Sequence, residues 1–187
     1  MIQIGLDAPA CKQAWAEGET RQQNARKARA RTHHDQGDGS TQSWYNVRGR
    51  SAELAVEHWL GLPLIPDISW RQERQRRHFD TTPPWCVQVK AIGSPNGTLN
   101  VDLPPKRDCW TCPYILVYSP DICMHVLIGW ATGPEVRQYG YQVRWPGGGK
   151  SICLPQKFLH PMPGPTILHA RMFHQGAHSI CPAGRRL

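Results

Sequence analysis

WCVQVKAI, residues 85–92, alternates apolar and polar side chains and therefore predicts a β-strand. Gln88 and Lys90 project from one face of that strand, two positions apart, while Val89 between them projects from the other. Polar residues at alternate positions are also common on a solvated sheet face. The pattern therefore needs chemical partners elsewhere in the chain before it indicates a site.

A short strand that ends at Asp80 is the first such partner. HFD, 78–80, is followed by Thr-Thr-Pro-Pro, a turn that predicts a hairpin between the two strands. In a tight hairpin Asp80 lies opposite Cys86 or Gln88, and residues that face one another across an antiparallel pair project to the same side. We therefore expect this carboxylate on the face that Gln88 and Lys90 share.

The second partner is a carboxylate on a preceding helix. NVRGRSAELAVEHWL, 46–60, places apolar residues at three- and four-residue spacing, and Gly61 follows where helices commonly end. Glu53 falls beside the apolar stripe, in line with Val56 and Leu60, so it is expected near the edge of the core. If this helix packs against the face that carries Lys90, Glu53 can reach that face.

Two carboxylates, an amide oxygen and an ammonium group suit the hydrolysis of phosphodiesters. A divalent metal can make a water molecule nucleophilic and can offset the developing negative charge. Mg²⁺ prefers hard oxygen ligands, usually one or two carboxylates with water and phosphate in the other positions. A nearby lysine can orient the water, so the pattern favours a metal-dependent phosphodiesterase.

Three segments in this order resemble the core of the PD-(D/E)xK nuclease superfamily, the restriction-endonuclease-like fold, and in particular its small phage or prophage members. The segments are GRSAELAVEHWLG (49–61), HFD (78–80) and WCVQVKAIG (85–93), and the resemblance spans roughly 46–130. The core of that family implies a helix with Glu, a strand with Asp and a strand with (Asp/Glu/Gln)-x-Lys, followed by further strands and a helix.

The resemblance implies a role for each matching residue. Asp80 would be the main ligand of Mg²⁺ or Mn²⁺, with Glu53 assisting and the carbonyl of Val89 as a further ligand. Lys90 would position or activate the attacking water. Gln88 stands where the common form has Asp or Glu; its neutral oxygen would hold the cation less tightly, which gives Glu53 more weight.

The order of the elements predicts the fold class. Helix, helix, strands and a final helix favour an α/β (α+β) fold of the restriction-endonuclease-like type, with a central mixed sheet flanked by helices. We expect a basic helix and linker over 1–42, a nuclease-like core over 43–160 and a basic tail over 161–187. The other expected elements are a helix over 9–31, whose good helix formers include one glycine at Gly18, strands at 114–118 and 124–131, a short helix capped by Thr132, and a hairpin of QVRW with SICL.

The charge of the chain predicts a polyanionic partner, which we take to be DNA. Lys and Arg outnumber Asp and Glu by 22 to 14, a formal charge of +8, and phosphate contacts would release condensed counterions. A merely solvated charge run is the alternative. The arginines expected to contact the DNA backbone beside the site are Arg48, Arg50, Arg71, Arg74, Arg76 and Arg77.

The sequence also predicts where the protein works. It has no apolar run near the roughly 18 residues that span a bilayer, and its first residues do not resemble a signal peptide. We therefore expect no membrane contact and a cytoplasmic location, the host cytoplasm if a phage encodes the protein. In that compartment the seven cysteines would stay reduced.

The main expectation is a Mg²⁺-dependent deoxyribonuclease that cuts duplex or branched DNA, alone or as a homodimer. One alternative is a catalytically weak or inactive nucleic-acid-binding protein of the same fold, in which the site has lost its activity because Gln88 replaces an acidic residue. A zinc-stabilised interaction protein is another, because Cys109 and Cys112 have the spacing of zinc ligands, although a second compact pair is missing from the sequence.

Overall fold

The computed structural model describes residues 1–27, 39–62, 87–103, 110, 112–146 and 148–165, with the backbone alone for 25–27 and 39–42. These residues form helices, strands and one 3₁₀ turn. In chain order they are β1 (Ile2–Gly5), α1 (Ala8–Lys27), α2 (Gly39–Trp59), β2 (Gln88–Ile92), β3 (Leu99–Leu103), β4 (Pro113–Tyr118), β5 (Met124–Thr132), α3 (Gly133–Tyr139), β6 (Tyr141–Arg144), β7 (Lys150–Leu154) and the 3₁₀ turn Gln156–Phe158.

The first sheet is mixed and has the strand order β1-β5-β4-β2. β2 runs parallel to β4, with Lys90 beside Leu116 in register, whereas β5 runs antiparallel to both β4 and β1. β4 is buried along almost its whole length, as expected for a central strand covered on both faces. This arrangement confirms a mixed sheet.

The second sheet contains β3, β7 and β6 in that order, all antiparallel. The predicted hairpin of QVRW with SICL is confirmed as the β6–β7 pair. β3 and β1 were not predicted, because each is a short segment of four or five residues whose partner lies far along the chain.

α1 lies almost entirely within the segment predicted to be helical, and α2 is longer than the sequence predicts. α1 begins after Asp7, whose carboxylate caps the helix by accepting a hydrogen bond from the amide of Ala10 at 2.9 Å, and it runs through Gly18 without a break. A Cβ at Gly18 would lie 2.5 Å from the Cα of Val47 on α2. Gly18 therefore marks the point where the two helices cross closely. α2 begins at Gly39, inside the predicted linker.

Two apolar clusters cover the two faces of the first sheet. One lies between this sheet and α2 and includes Ala52, Val56, Val89 and Ile115. The other lies between the two sheets and α3. Its buried members are Leu99, Val101, Tyr114, Leu116, Ala131, Val136, Ile152 and Leu154. The layers are thus α1, α2, the mixed sheet and the second sheet, an α+β architecture.

The end of the second apolar layer is closed by α3 and the segment that follows β7. Thr132 caps α3 in a reciprocal capping box with Glu135, which confirms the predicted cap. His160 pairs through its backbone with Trp130 on β5, and its imidazole lies 2.7 Å from Glu135. This segment therefore returns to the mixed sheet.

A disulfide joins Cys11 on α1 to Cys123, just before β5, with the two Cα atoms 5.6 Å apart. For this pair the expectation of reduced cysteines is wrong. Cys112 and Cys153 are buried. Within the described ranges no helix is both long and apolar enough to cross a membrane.

Several predicted features lie outside the described residues. They are the strand 78–80 with Asp80, the arginines Arg71, Arg74, Arg76 and Arg77, the zinc-spaced Cys109, and the tail beyond 165.

Candidate functional site

β2 presents Gln88 and Lys90 on one face, as the alternation in the sequence predicts. Gln88 lies beside Tyr114 and Lys90 beside Leu116, and both of these partners belong to the apolar layer between the sheets. Gln88 is 3% exposed and Lys90 is half-buried. The amide of Gln88, held at this depth, has lost most of its water, which strengthens its interaction with any nearby charge.

Glu53 lies in the interface between α2 and α1. Its carboxylate accepts two hydrogen bonds from the guanidinium of Arg21, at 2.8 and 2.6 Å, and one from Arg50 at 3.1 Å. Glu53 is 7% exposed, and burial alone would raise the pKa of its carboxyl. The two arginines outweigh burial, so the pKa of Glu53 is lowered and the group is ionised.

Arg50 is the centre of this interface and is 0% exposed. Its guanidinium is hydrogen-bonded to Glu17 as well as to Glu53, and it lies 3.7 Å from the carboxylate of Glu57. Burial opposes the charge of Arg50, but the three glutamates raise its pKa above the ordinary value. A side chain so enclosed is out of reach of a DNA backbone, so the predicted nucleic-acid contact of Arg50 is replaced by a role between the helices.

The mixed sheet separates Glu53 from Lys90. α2 packs on the face of β2 that carries Val89, in the same apolar cluster as Ala52 and Val56. Because side chains alternate along a strand, Gln88 and Lys90 project from the opposite face. The condition under which Glu53 would share the face of Lys90, with α2 packed on that face, is therefore not met.

Arg48 has a different position from Arg50, although the two lie on the same turn of α2. Its guanidinium carbon lies 5.4 Å from the ring centre of Trp44 and 5.9 Å from that of Tyr45. It also reaches Gly93, immediately after β2, where an added Cβ would lie 2.3 Å from Nη1 of Arg48. The Nε of Arg48 is buried and has no hydrogen-bond partner among the described residues. The sequence singled out Arg48 but not the aromatic rings around it.

A buried serine–histidine pair lies at the turn between β4 and β5. The Oγ of Ser119 lies 2.9 Å from Nδ1 of His125, and the other ring nitrogen lies 3.2 Å from the carbonyl of Ile122. Both side chains are fully buried, and desolvation lowers the pKa of His125. The pair closes a turn inside the protein and is not accessible to a substrate.

Two of the candidate metal ligands, Gln88 and Val89, lie next to each other on β2. In the described ranges no three His, Cys, Asp or Glu side chains are grouped as a metal site, and Asp80 lies outside those ranges. Gln88 and the carbonyl of Val89 supply neutral oxygens, the donor type that Mg²⁺ accepts beside a carboxylate. Of the zinc-spaced pair, Cys112 is a buried thiol and Cys109 lies outside the described residues.

Comparisons with known proteins identify no relative of this chain. No family profile matches the sequence, and no curated protein and no solved structure is significantly similar to it. The fold defines a mixed α/β protein with two sheets and at least three helices among its described residues. Its function must be argued from its own side chains.

Proposed function

We propose that the protein is a metal-dependent nuclease that hydrolyses phosphodiester bonds of DNA. The observation that carries the proposal is the placement of Gln88 and Lys90 side by side on one largely buried face of β2, in a mixed sheet backed by α2. A lysine held at this depth beside a neutral oxygen donor is suited to a polyanionic ligand. The excess of basic residues across the chain favours the same partner.

In this proposal Asp80 supplies the negative charge that holds Mg²⁺ or Mn²⁺. Gln88 and the carbonyl of Val89 would be the other protein ligands, and water and a phosphate oxygen would take the remaining positions. When bound, the metal would supply Lewis-acid activation of water and of the phosphate. Lys90 orients the attacking water and offsets the charge that develops on the phosphate.

We assign Glu53 a positioning role. Both of its carboxylate oxygens are engaged by Arg21, and it lies on the side of β2 away from Lys90. It therefore holds α1 and α2 together behind the strand that carries Gln88 and Lys90. In this proposal Glu53 is not a ligand of the metal, which is the role that the resemblance implies for it.

The test is a cleavage assay on supercoiled plasmid and on branched duplexes, with Mg²⁺ or Mn²⁺ and with EDTA. Lys90→Met keeps the length of the side chain but removes its charge, and Asp80→Asn keeps the shape of the carboxylate. Both should abolish cleavage. Lys150→Met is the matched control, because Lys150 is an exposed lysine on β7 in the second sheet, and it should cut as the wild type does.

Three results would contradict the proposed nuclease function. They are full activity in EDTA, wild-type activity of both site variants, and salt-dependent DNA binding without cleavage under either metal. The last result would identify the protein as a DNA-binding relative of the fold, in which the neutral Gln88 leaves the metal too weakly held. Stoichiometric zinc in the purified protein, with no DNA binding, would favour an interaction protein instead.

A further inference from the structure

We propose that four side chains at the α1–α2 crossing form a binding surface for unpaired DNA bases. The side chains are Trp15, Trp44, Tyr45 and Arg48, which we call the aromatic surface. The proposal rests on the proposed nuclease function and narrows its substrate to DNA with a single-stranded segment, such as a flap, a junction or a frayed end.

Two of the three rings of the aromatic surface are more exposed than large apolar side chains usually are, and the third, Trp44, is half-buried. Trp15 on α1 and Tyr45 on α2 are each 43% exposed. Trp15 and Trp44 contact each other across the crossing, with ring centres 6.3 Å apart and planes tilted by 58°. Aromatic rings clustered at a surface, with faces left in water, are suited to a planar apolar ligand.

Arg48 gives the aromatic surface its charge. The guanidinium lies against both Trp44 and Tyr45, so the rings hold it in place without neutralising it. This differs from Arg50, whose charge is met by three glutamates. A cation fixed beside exposed rings can bind a phosphate while the rings accept the neighbouring bases.

The aromatic surface also adjoins the strand of the proposed site. Arg48 lies against Gly93, the residue that follows β2, and Lys90 lies three positions earlier on that strand. A Cβ at Gly93 would occupy the space of the guanidinium, so glycine at this position makes room for Arg48. A strand of DNA bound on the aromatic surface would therefore reach the end of β2, on the face of the sheet opposite to the one that carries Lys90.

The chemistry of the aromatic surface favours unpaired bases over duplex DNA. Bases inside a duplex are stacked on each other and cannot present a face to a side chain, whereas unpaired bases stack on aromatic rings with little dependence on sequence. Another exposed aromatic group among the described residues, Tyr139 stacked on Phe158 with Lys157 above it, has similar composition but lies at α3 and the 3₁₀ turn. It serves as a matched control.

The experiment measures binding of a fluorescent oligodeoxythymidylate and of a blunt duplex of equal length, by anisotropy in EDTA. Trp15→Ala and Tyr45→Ala should each weaken binding of the single strand about tenfold, the size of one lost stacking contact. Both should change duplex binding by less than about twofold. Gly93→Ala, which displaces the guanidinium and leaves every ring in place, should weaken single-strand binding and lower its dependence on salt.

Phe158→Ala should leave single-strand binding unchanged. The proposal is overturned if Trp15→Ala and Tyr45→Ala bind the single strand as the wild type does, or if Phe158→Ala weakens it equally. Equal losses on duplex and single strand would also overturn it, because they would indicate a general effect on DNA binding. The binding measurement needs no metal. The absence of cleavage would therefore contradict the nuclease without affecting this test, and the absence of single-strand binding would contradict the aromatic surface alone.

Discussion

The guanidinium of Arg21 on α1 donates two hydrogen bonds, at 2.8 and 2.6 Å, to the two carboxylate oxygens of Glu53 on α2. This paired geometry fixes the direction as well as the distance between the two side chains. Arg50 contacts the same carboxylate, so the interface between the helices contains buried ion pairs. Four predictions test this interface, the site behind it and the core.

Removing the buried cation should destabilise the protein strongly. Arg50→Met leaves Glu17, Glu53 and Glu57 without their common partner in a buried interface, which should lower the free energy of unfolding by about 3–5 kcal/mol. Urea denaturation measures the change. Arg137→Met is the control, since Arg137 is an exposed residue that contacts only the ring of Trp110 among its described partners, and it should cost about 1 kcal/mol or less. Equal losses in the two variants would show that the buried charges do not hold the helices together.

The role of Glu53 can be separated from that of a metal ligand. Glu53→Gln should lower stability, because the charge that faces Arg21 and Arg50 is lost, but it should leave the Mg²⁺ concentration for half-maximal cleavage unchanged. Lys90→Met should abolish cleavage with little loss of stability. The measurement is a Mg²⁺ titration of cleavage at a temperature where both variants are folded. A large rise in the Mg²⁺ requirement of Glu53→Gln would make Glu53 a ligand of the metal.

Two glycines on the helices should respond to alanine in opposite directions. At Gly18 a Cβ would meet the backbone of Val47 at 2.5 Å, so Gly18→Ala should force the helices apart and lower the melting temperature. At Gly49 an added Cβ meets nothing within 4 Å, so Gly49→Ala should stabilise the helix by about 0.5–1 kcal/mol. Thermal denaturation followed by circular dichroism compares them. An unchanged melting temperature of Gly18→Ala would mean that the two helices do not cross as closely as described.

Buried His125 should make stability depend on pH in the weakly acidic range. Burial lowers its pKa in the folded protein, against the opposing effects of the Ile122 carbonyl and Asp121, whereas in the unfolded chain it titrates near about 6.5. As the pH falls below about 6.5, the unfolded state binds the proton first, so stability falls until the pH reaches the lowered pKa of the folded state. The slope should approach about 1.4 kcal/mol per pH unit.

The check on His125 is the free energy of unfolding between neutral and weakly acidic pH. His125→Gln should be less stable at neutral pH, because the contacts with Ser119 and Ile122 change, but its slope over this range should be smaller than that of the wild type. An unchanged slope would assign the pH dependence to other groups.

The features that could be predicted from the sequence are those that depend on near neighbours. Alternation places Gln88 and Lys90 on one face of β2, and Thr132 three positions before Glu135 predicts the cap of α3. These signals are local, so the rest of the chain does not change them.

The features that could not be predicted depend on distant partners. Arg50 has the sequence context of a surface arginine, and it is buried only because α1 brings Glu17 and Arg21 against it. Gly18 has a low intrinsic preference for helices, but the close approach of Val47 requires a residue without a side chain there. The face of β2 that α2 covers follows from the packing of Val89, which the apolar stripe of α2 alone does not determine.

The disulfide between Cys11 and Cys123 closes a covalent ring that contains every residue of the candidate site. One cut of the backbone anywhere between these two cysteines leaves a single covalent molecule, whereas one cut between Cys123 and α3 gives two covalently separate pieces, one of which carries α3 and the β6–β7 hairpin. Without reductant the protein would therefore remain one covalent species after a nick between Cys11 and Cys123. Once the bond is reduced, the same nick divides the molecule in two.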